Sequence, residues 1–171
     1  MLRSIRENGP ALLVPAAWTV VAGTVAGILS QRALFVTHVV MSVLLVAFVV
    51  GSWTDMQEGP LRVWKFVILA GTPATIAGVV GFLALDGVVG LSAEPLLATA
   101  LYAWILLPAV GLFYTARHVE ATSLAYDVGA ACSLAGAVGV TLAVTPIETI
   151  AGIGVVGVGQ TMGIVAATVV E

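Results

Sequence analysis

Between Lys65 and Asp86 the chain runs from Phe66 to Leu85, twenty residues, without a charge. As a helix, a run of that length crosses roughly 30 Å of hydrocarbon. Two cations and an aromatic residue, Arg62, Trp64 and Lys65, stand at its head, where amphipathic side chains settle at a membrane boundary. The same pattern recurs along the chain. Six apolar segments, at about 11–29, 33–53, 63–85, 95–116, 122–144 and 147–170, alternate with short separators that hold nearly all the charge. The expected fold is an all-α, polytopic bundle of about six membrane helices in one domain. Connections this short make consecutive helices antiparallel neighbours.

Composition agrees. The 171 residues are 60% hydrophobic and 9% charged, with a mean hydropathy of +1.14. A soluble domain carries about 25% charged residues, so too little polar surface is left for a shell facing water. The net charge of −3 is too sparse to steer nucleic acid. Arg3 and Arg6 precede the first apolar run, as in a signal peptide. That run exceeds an h-region of about 7–15 residues and more spans follow, so it is expected to be kept. With one cysteine, Cys132, an intrachain disulfide is impossible.

Cation counting sets the expected sidedness. With the N-terminus inside, Arg3, Arg6, Arg62, Lys65 and Arg117 face the cytoplasm and only Arg32 faces out. Both termini are then cytoplasmic and the expected location is the plasma membrane. Trp53, Trp64, Phe66, Phe113, Tyr114 and Tyr126 fall near the inner boundary. The fifth segment is the weakest because it contains Asp127. Were it re-entrant, the count would fall to five and the C-terminus would move outside.

Glycine carries the packing signal. Lipid gives helices no hydrophobic reason to associate, so close backbone approach through small residues supplies the contact. Gly23 and Gly27, Gly78 and Gly81, Gly136 and Gly139, and Gly159 and Gly163 are expected at such contacts. These are packing sites within the chain, or contacts of a homo-oligomer or a pore wall. Gly71, Gly78 and Gly81 repeat the spacing of Gly129, Gly136 and Gly139, with Thr75 matching Ser133. A duplicated two-helix unit is one explanation and coincidence in a Gly/Ala/Val alphabet is the other.

Polar residues within the spans are few, so each is a candidate. Pro73 and Pro108 sit near mid-span, where each removes a backbone donor and frees a carbonyl one turn earlier. Thr72 and Thr75 flank Pro73 and are placed to satisfy its carbonyls. Asp127 lies one to two turns from the inner surface, with His118, Arg117, Tyr114 and Tyr126 as available partners. It is either an ion or proton site or the start of a shorter helix at the headgroups. His38 is a possible haem or metal ligand, or the donor of an interhelical hydrogen bond. The other histidine, His118, belongs to the opposite membrane face, so one chain offers no paired axial set. Gln160, deep in the last span, makes a packing hydrogen bond or a substrate contact. Glu94 and Glu148 stand at outer helix starts, where the macrodipole favours an acid.

No phosphate loop, histidine pair on one helix or serine elbow is present. No cofactor is expected beyond the haem that His38 would allow, and no metal site. Three functions remain: a small permease or channel-like transporter for a solute or ion, a non-catalytic subunit or anchor of a larger membrane complex, and a membrane enzyme or haem protein.

Overall fold

The computed structural model describes the backbone of residues 2–169 and the side chains of residues 12–167. The side chains of Arg3 and Arg6, and the end of the sixth apolar segment at Val170, lie outside that range. Six helices follow one another: α1 (Leu2–Val25), α2 (Gln31–Gly51), α3 (Gly59–Leu85), α4 (Ala93–Ala116), α5 (Ser123–Leu142) and α6 (Pro146–Val169). No strand occurs among the described residues. Five of the helices, α2 to α6, are long and apolar enough to cross a bilayer. In α1 the apolar described stretch is Leu12–Val25, which as a helix rises about 21 Å. The chain is an all-helical bundle of membrane type. The fifth segment is one continuous helix, not a re-entrant loop.

The ends of the helices are written in the local sequence. Gly27 and Gly87 follow α1 and α3 by two residues, with φ of +71° and +70°. Both close a C-terminal motif in which the next residue's N–H reaches back one turn, Ile28 to Gly23 O and Val88 to Leu83 O, each 2.9 Å. Gly27 therefore does not share a helix face with Gly23. It is the stop of α1, a position that needs left-handed backbone, and nothing lies near where its Cβ would be. At the start of α6, Glu148 accepts from the N–H groups of Val144 (2.8 Å) and Thr145 (3.1 Å), and Thr145 Oγ1 accepts from Glu148 N–H at 3.4 Å. Thr145 and Glu148 form a reciprocal cap of the kind a Thr-x-x-Glu spacing permits. The Ser30 hydroxyl caps α2 by accepting from Ala33 N–H at 3.2 Å.

The helices stand in a ring, in the order α1, α6, α5, α4, α3, α2. Its tightest seam joins α5 to α6, backbone against backbone. A Cβ on Gly136 would lie 2.7 Å from Gly152 O and collide with Val156, one on Gly129 would lie 2.7 Å from Gly159 O, and one on Gly159 would strike Cys132. Ile105, Leu112, Ile153, Val156 and Ser133 are fully enclosed around this seam. Gly71, Gly78 and Gly81 on α3 instead meet side chains, those of Trp104, His38 and Leu97. The two glycine triplets thus share a spacing but not a kind of partner. Where the ring should close, α1 and α2 touch only briefly.

The outside of the bundle is apolar. On α2, Val36, Val40, Val43, Val46 and Val50 are exposed, as are Val110, Phe113, Leu134, Val138 and Val158 on the other helices. A surface built this way is at rest in lipid and not in water.

The α5–α6 seam sets a test. Gly136→Ala should lower the stability of the bundle by about 1–3 kcal/mol, the cost of overpacking a close contact. Gly154→Ala, where a Cβ meets nothing within 4 Å, should be neutral or slightly stabilising. Unfolding midpoints in detergent micelles measure both.

Candidate functional site

An indole N–H in hydrocarbon has no water to bond, so it must find a partner in the protein. Three of the four tryptophans solve this in one way: the ring lies on a glycine and the N–H donates to a polar side chain three or four residues further along the same helix. Trp104 lies over Gly71, whose Cβ would sit 2.7 Å from the ring, and donates to Thr75 Oγ1 at 2.8 Å. Trp64 lies over Gly111, at 3.3 Å by the same measure, and donates to Thr115 Oγ1 at 3.1 Å. Trp18 lies over Gly157 and donates to Gln160 Oε1 at 2.9 Å.

The first two pairs are reciprocal. In α3, Trp64, Gly71 and Thr75 have the spacing that Trp104, Gly111 and Thr115 have in α4. Because the two helices are antiparallel, each tryptophan reaches the other helix's glycine and threonine. Each hydroxyl passes its own proton to the carbonyl one turn back, Thr75 to Gly71 O at 2.9 Å and Thr115 to Gly111 O at 2.8 Å.

Gln160 joins the third pair to this clasp. Pro108 has no N–H, so the carbonyl of Trp104, four residues earlier, loses its helical partner. Gln160 Nε2 donates to that carbonyl at 2.9 Å and to Ile105 O at 3.4 Å. The side chain of α6 thus repairs the break in α4 while its oxygen holds α1. Around Pro73 the hydroxyls behave otherwise. Thr72 and Thr75 donate to Ile68 O and Gly71 O, not to the freed carbonyl of Leu69.

Behind this network is a cavity of about 370 Å³. It runs from Leu13 and Val14 on α1, past Trp104, Thr75 and Gln160, toward the end of the bundle that carries the α1–α2 and α3–α4 connections, at Thr24, Gln31 and Leu97. Most of its wall is apolar, from Leu13, Val14, Leu34, Met41, Phe82 and Leu101 among others. His38 enters from α2. Its Nδ1 bonds Leu34 O in its own helix at 3.0 Å, so the hydrogen bond is intrahelical. Its ring stands edge-on to Phe82, centroids 5.3 Å apart, and fits against the bare Cα of Gly78.

Three sequence candidates, His38, Thr75 and Gln160, therefore meet around one cavity. The others do not. Asp127 is in the first turn and a half of α5 and takes both carboxylate oxygens to Arg117 Nη1, at 2.8 and 2.7 Å. The pair is solvent-accessible, with the side chains of Arg117 and Asp127 52% and 38% exposed, so Asp127 sits at the bundle's edge. Arg117 also lies over the Phe113 ring at 4.4 Å. His118 stacks on Tyr114, centroids 4.0 Å apart, and bonds Tyr114 O. Tyr126 is buried with Leu112, Ala116 and Ala130. Trp53, the fourth tryptophan, holds Lys65 over its ring at 4.1 Å.

Trp18 and Trp104 were not among the sequence candidates. For Trp104 the Trp, Gly, Thr spacing repeated in neighbouring spans was the available signal, and Trp18 is outside that repeat. Comparison of the chain with protein-family models, curated proteins and solved structures returns no match, so the site's own chemistry carries its reading.

Gln160→Leu removes one acceptor and two donations at once and leaves the Trp18 N–H and the Trp104 carbonyl unpaired. It should cost about 2–3 kcal/mol. Thr72→Val, which removes only a bond within its own helix, should cost under about 1 kcal/mol. Denaturation of the two variants in mixed micelles checks the order.

Proposed function

We propose that this chain is a small membrane carrier that binds a largely apolar solute in the cavity between α1, α2, α3, α4 and α6. The observation that carries the reading is the cavity itself: about 370 Å³ of space, within the range of small-molecule sites, apolar in wall with a few convergent polar groups. Its lining is largely apolar on all five helices, which favours a carrier over an aqueous channel. The brief contact between α1 and α2 favours loading from the lipid through that seam.

The cation count supports both termini on the cytoplasmic face, which would put the cavity mouth on the outer side. A second reading, as a non-catalytic subunit of a larger membrane complex or a homo-oligomer, is favoured by α2. That helix exposes a long row of valines and packs appreciably only on α3, so a partner helix would find it accessible.

Protein purified in mild detergent should retain a small molecule recoverable by organic extraction and mass spectrometry. Ala17→Phe and Thr37→Phe, which put a ring into the cavity, should empty the extract while the proteins elute unchanged from gel filtration. Identical extracts from wild type and both variants would overturn the reading. For sidedness, alkaline phosphatase should be active when fused after Gly90 and inactive after Glu120.

A further inference from the structure

The cavity wall has a polarity of its own. The N–H groups of Trp18 and Trp104 are committed to Gln160 and Thr75. Both hydrogens of the Gln160 amide go to main-chain carbonyls. The hydroxyls of Thr24, Thr37 and Thr75 donate to Val20 O, Ala33 O and Gly71 O, at 2.9 Å each. The side-chain donor without such a bond is the amide of Gln31, at the exposed rim. Inside, the described side chains leave only acceptor capacity. The strongest acceptor is on His38. A carbonyl can only accept, so the bond from Nδ1 to Leu34 O fixes a proton on Nδ1, and the ring in its neutral form keeps a lone pair on Nε2, beside the bare Cα of Gly78. Among the described residues, Nε2 has no hydrogen-bond partner.

Among the described residues, no charged side chain lines the cavity. A cation or a carboxylate would be desolvated there without compensation. The volume is more than twice the roughly 150 Å³ that accommodates benzene in an apolar protein cavity, which suits two fused rings or an equivalent aliphatic body.

From these features we propose that the ligand is a neutral, apolar molecule of about bicyclic size that donates one hydrogen bond, from a hydroxyl or N–H, to Nε2 of His38. This rests on the cavity being the binding site, and the test separates the two ideas. Radiolabelled 2-naphthol is bound to the protein in detergent micelles and competed with unlabelled 2-naphthol, 2-methoxynaphthalene and naphthalene, with Ala17→Phe and Thr37→Phe as blocked controls. The expected result is saturable binding lost in the blocked proteins, with the methyl ether and the hydrocarbon about tenfold weaker than the naphthol. In His38→Phe the three compounds should compete equally. Equal competition in the wild type would overturn the donor requirement and leave the cavity as the binding site. Absence of saturable binding by any of the three would overturn both.

Discussion

In hydrocarbon there is no solvent to complete a hydrogen bond, and the described bundle is arranged around that fact. Each tryptophan N–H inside it, and the carbonyl that Pro108 orphans, must be met by another helix. Gln160 meets two of these needs with one side chain, and so ties α1, α4 and α6 at one depth. The reciprocal clasp of α3 and α4 does the same for its pair at two depths. These bonds set the register of helices whose greasy surfaces, sliding on one another in lipid, would specify little.

Glycine sets distance where hydrogen bonds set register. On α5 and α6 it removes side chains from both partners, and the backbones close until nothing fits between them. On α3 and α4 it removes a side chain from one partner, and an indole fills the space. The ring is therefore dense from α3 through α6 and loose at α1 and α2, whose facing surfaces lack both devices. Gly27, which would have supplied a second small residue on α1, is spent on ending the helix.

Much of this was legible in the sequence, and what was not has a physical reason. Charge-free runs locate helices because lipid tolerates nothing else, and five of six segments have the length and apolarity of a span. Spacing alone misplaced Gly27, since a glycine four residues on from another reads equally as a packing pair or a C-terminal stop. Asp127 was expected one to two turns into the fifth segment, with Arg117 among its available partners, or at the start of a shorter helix; it is the fifth residue of α5, and Arg117, across the connection, reaches both carboxylate oxygens. His38 and Gln160 stood out individually, but their meeting depends on ring closure by α1 and α6, which no local pattern encodes. The paired Trp, Gly, Thr spacing was present in the chain, but it gains meaning only with two antiparallel helices in register.

The clasp also explains why this hollow borders one of its halves and not the other. Its two halves are locally equivalent, tryptophan over glycine and hydroxyl on carbonyl, yet one is solid and the other borders open space. At Trp64 and Thr115 the surroundings are filled by Leu112, Ala116, Tyr126 and Ala130, held close by the glycines of α5 and α6. At Trp104 and Thr75 the neighbours are α1 and α2, which touch each other only briefly and have no glycine seam between them. Emptiness there follows from unequal packing of third helices around an equal pair, with no special side chain needed to prop it open. A solute in that space would restore the contacts its lining atoms otherwise forfeit.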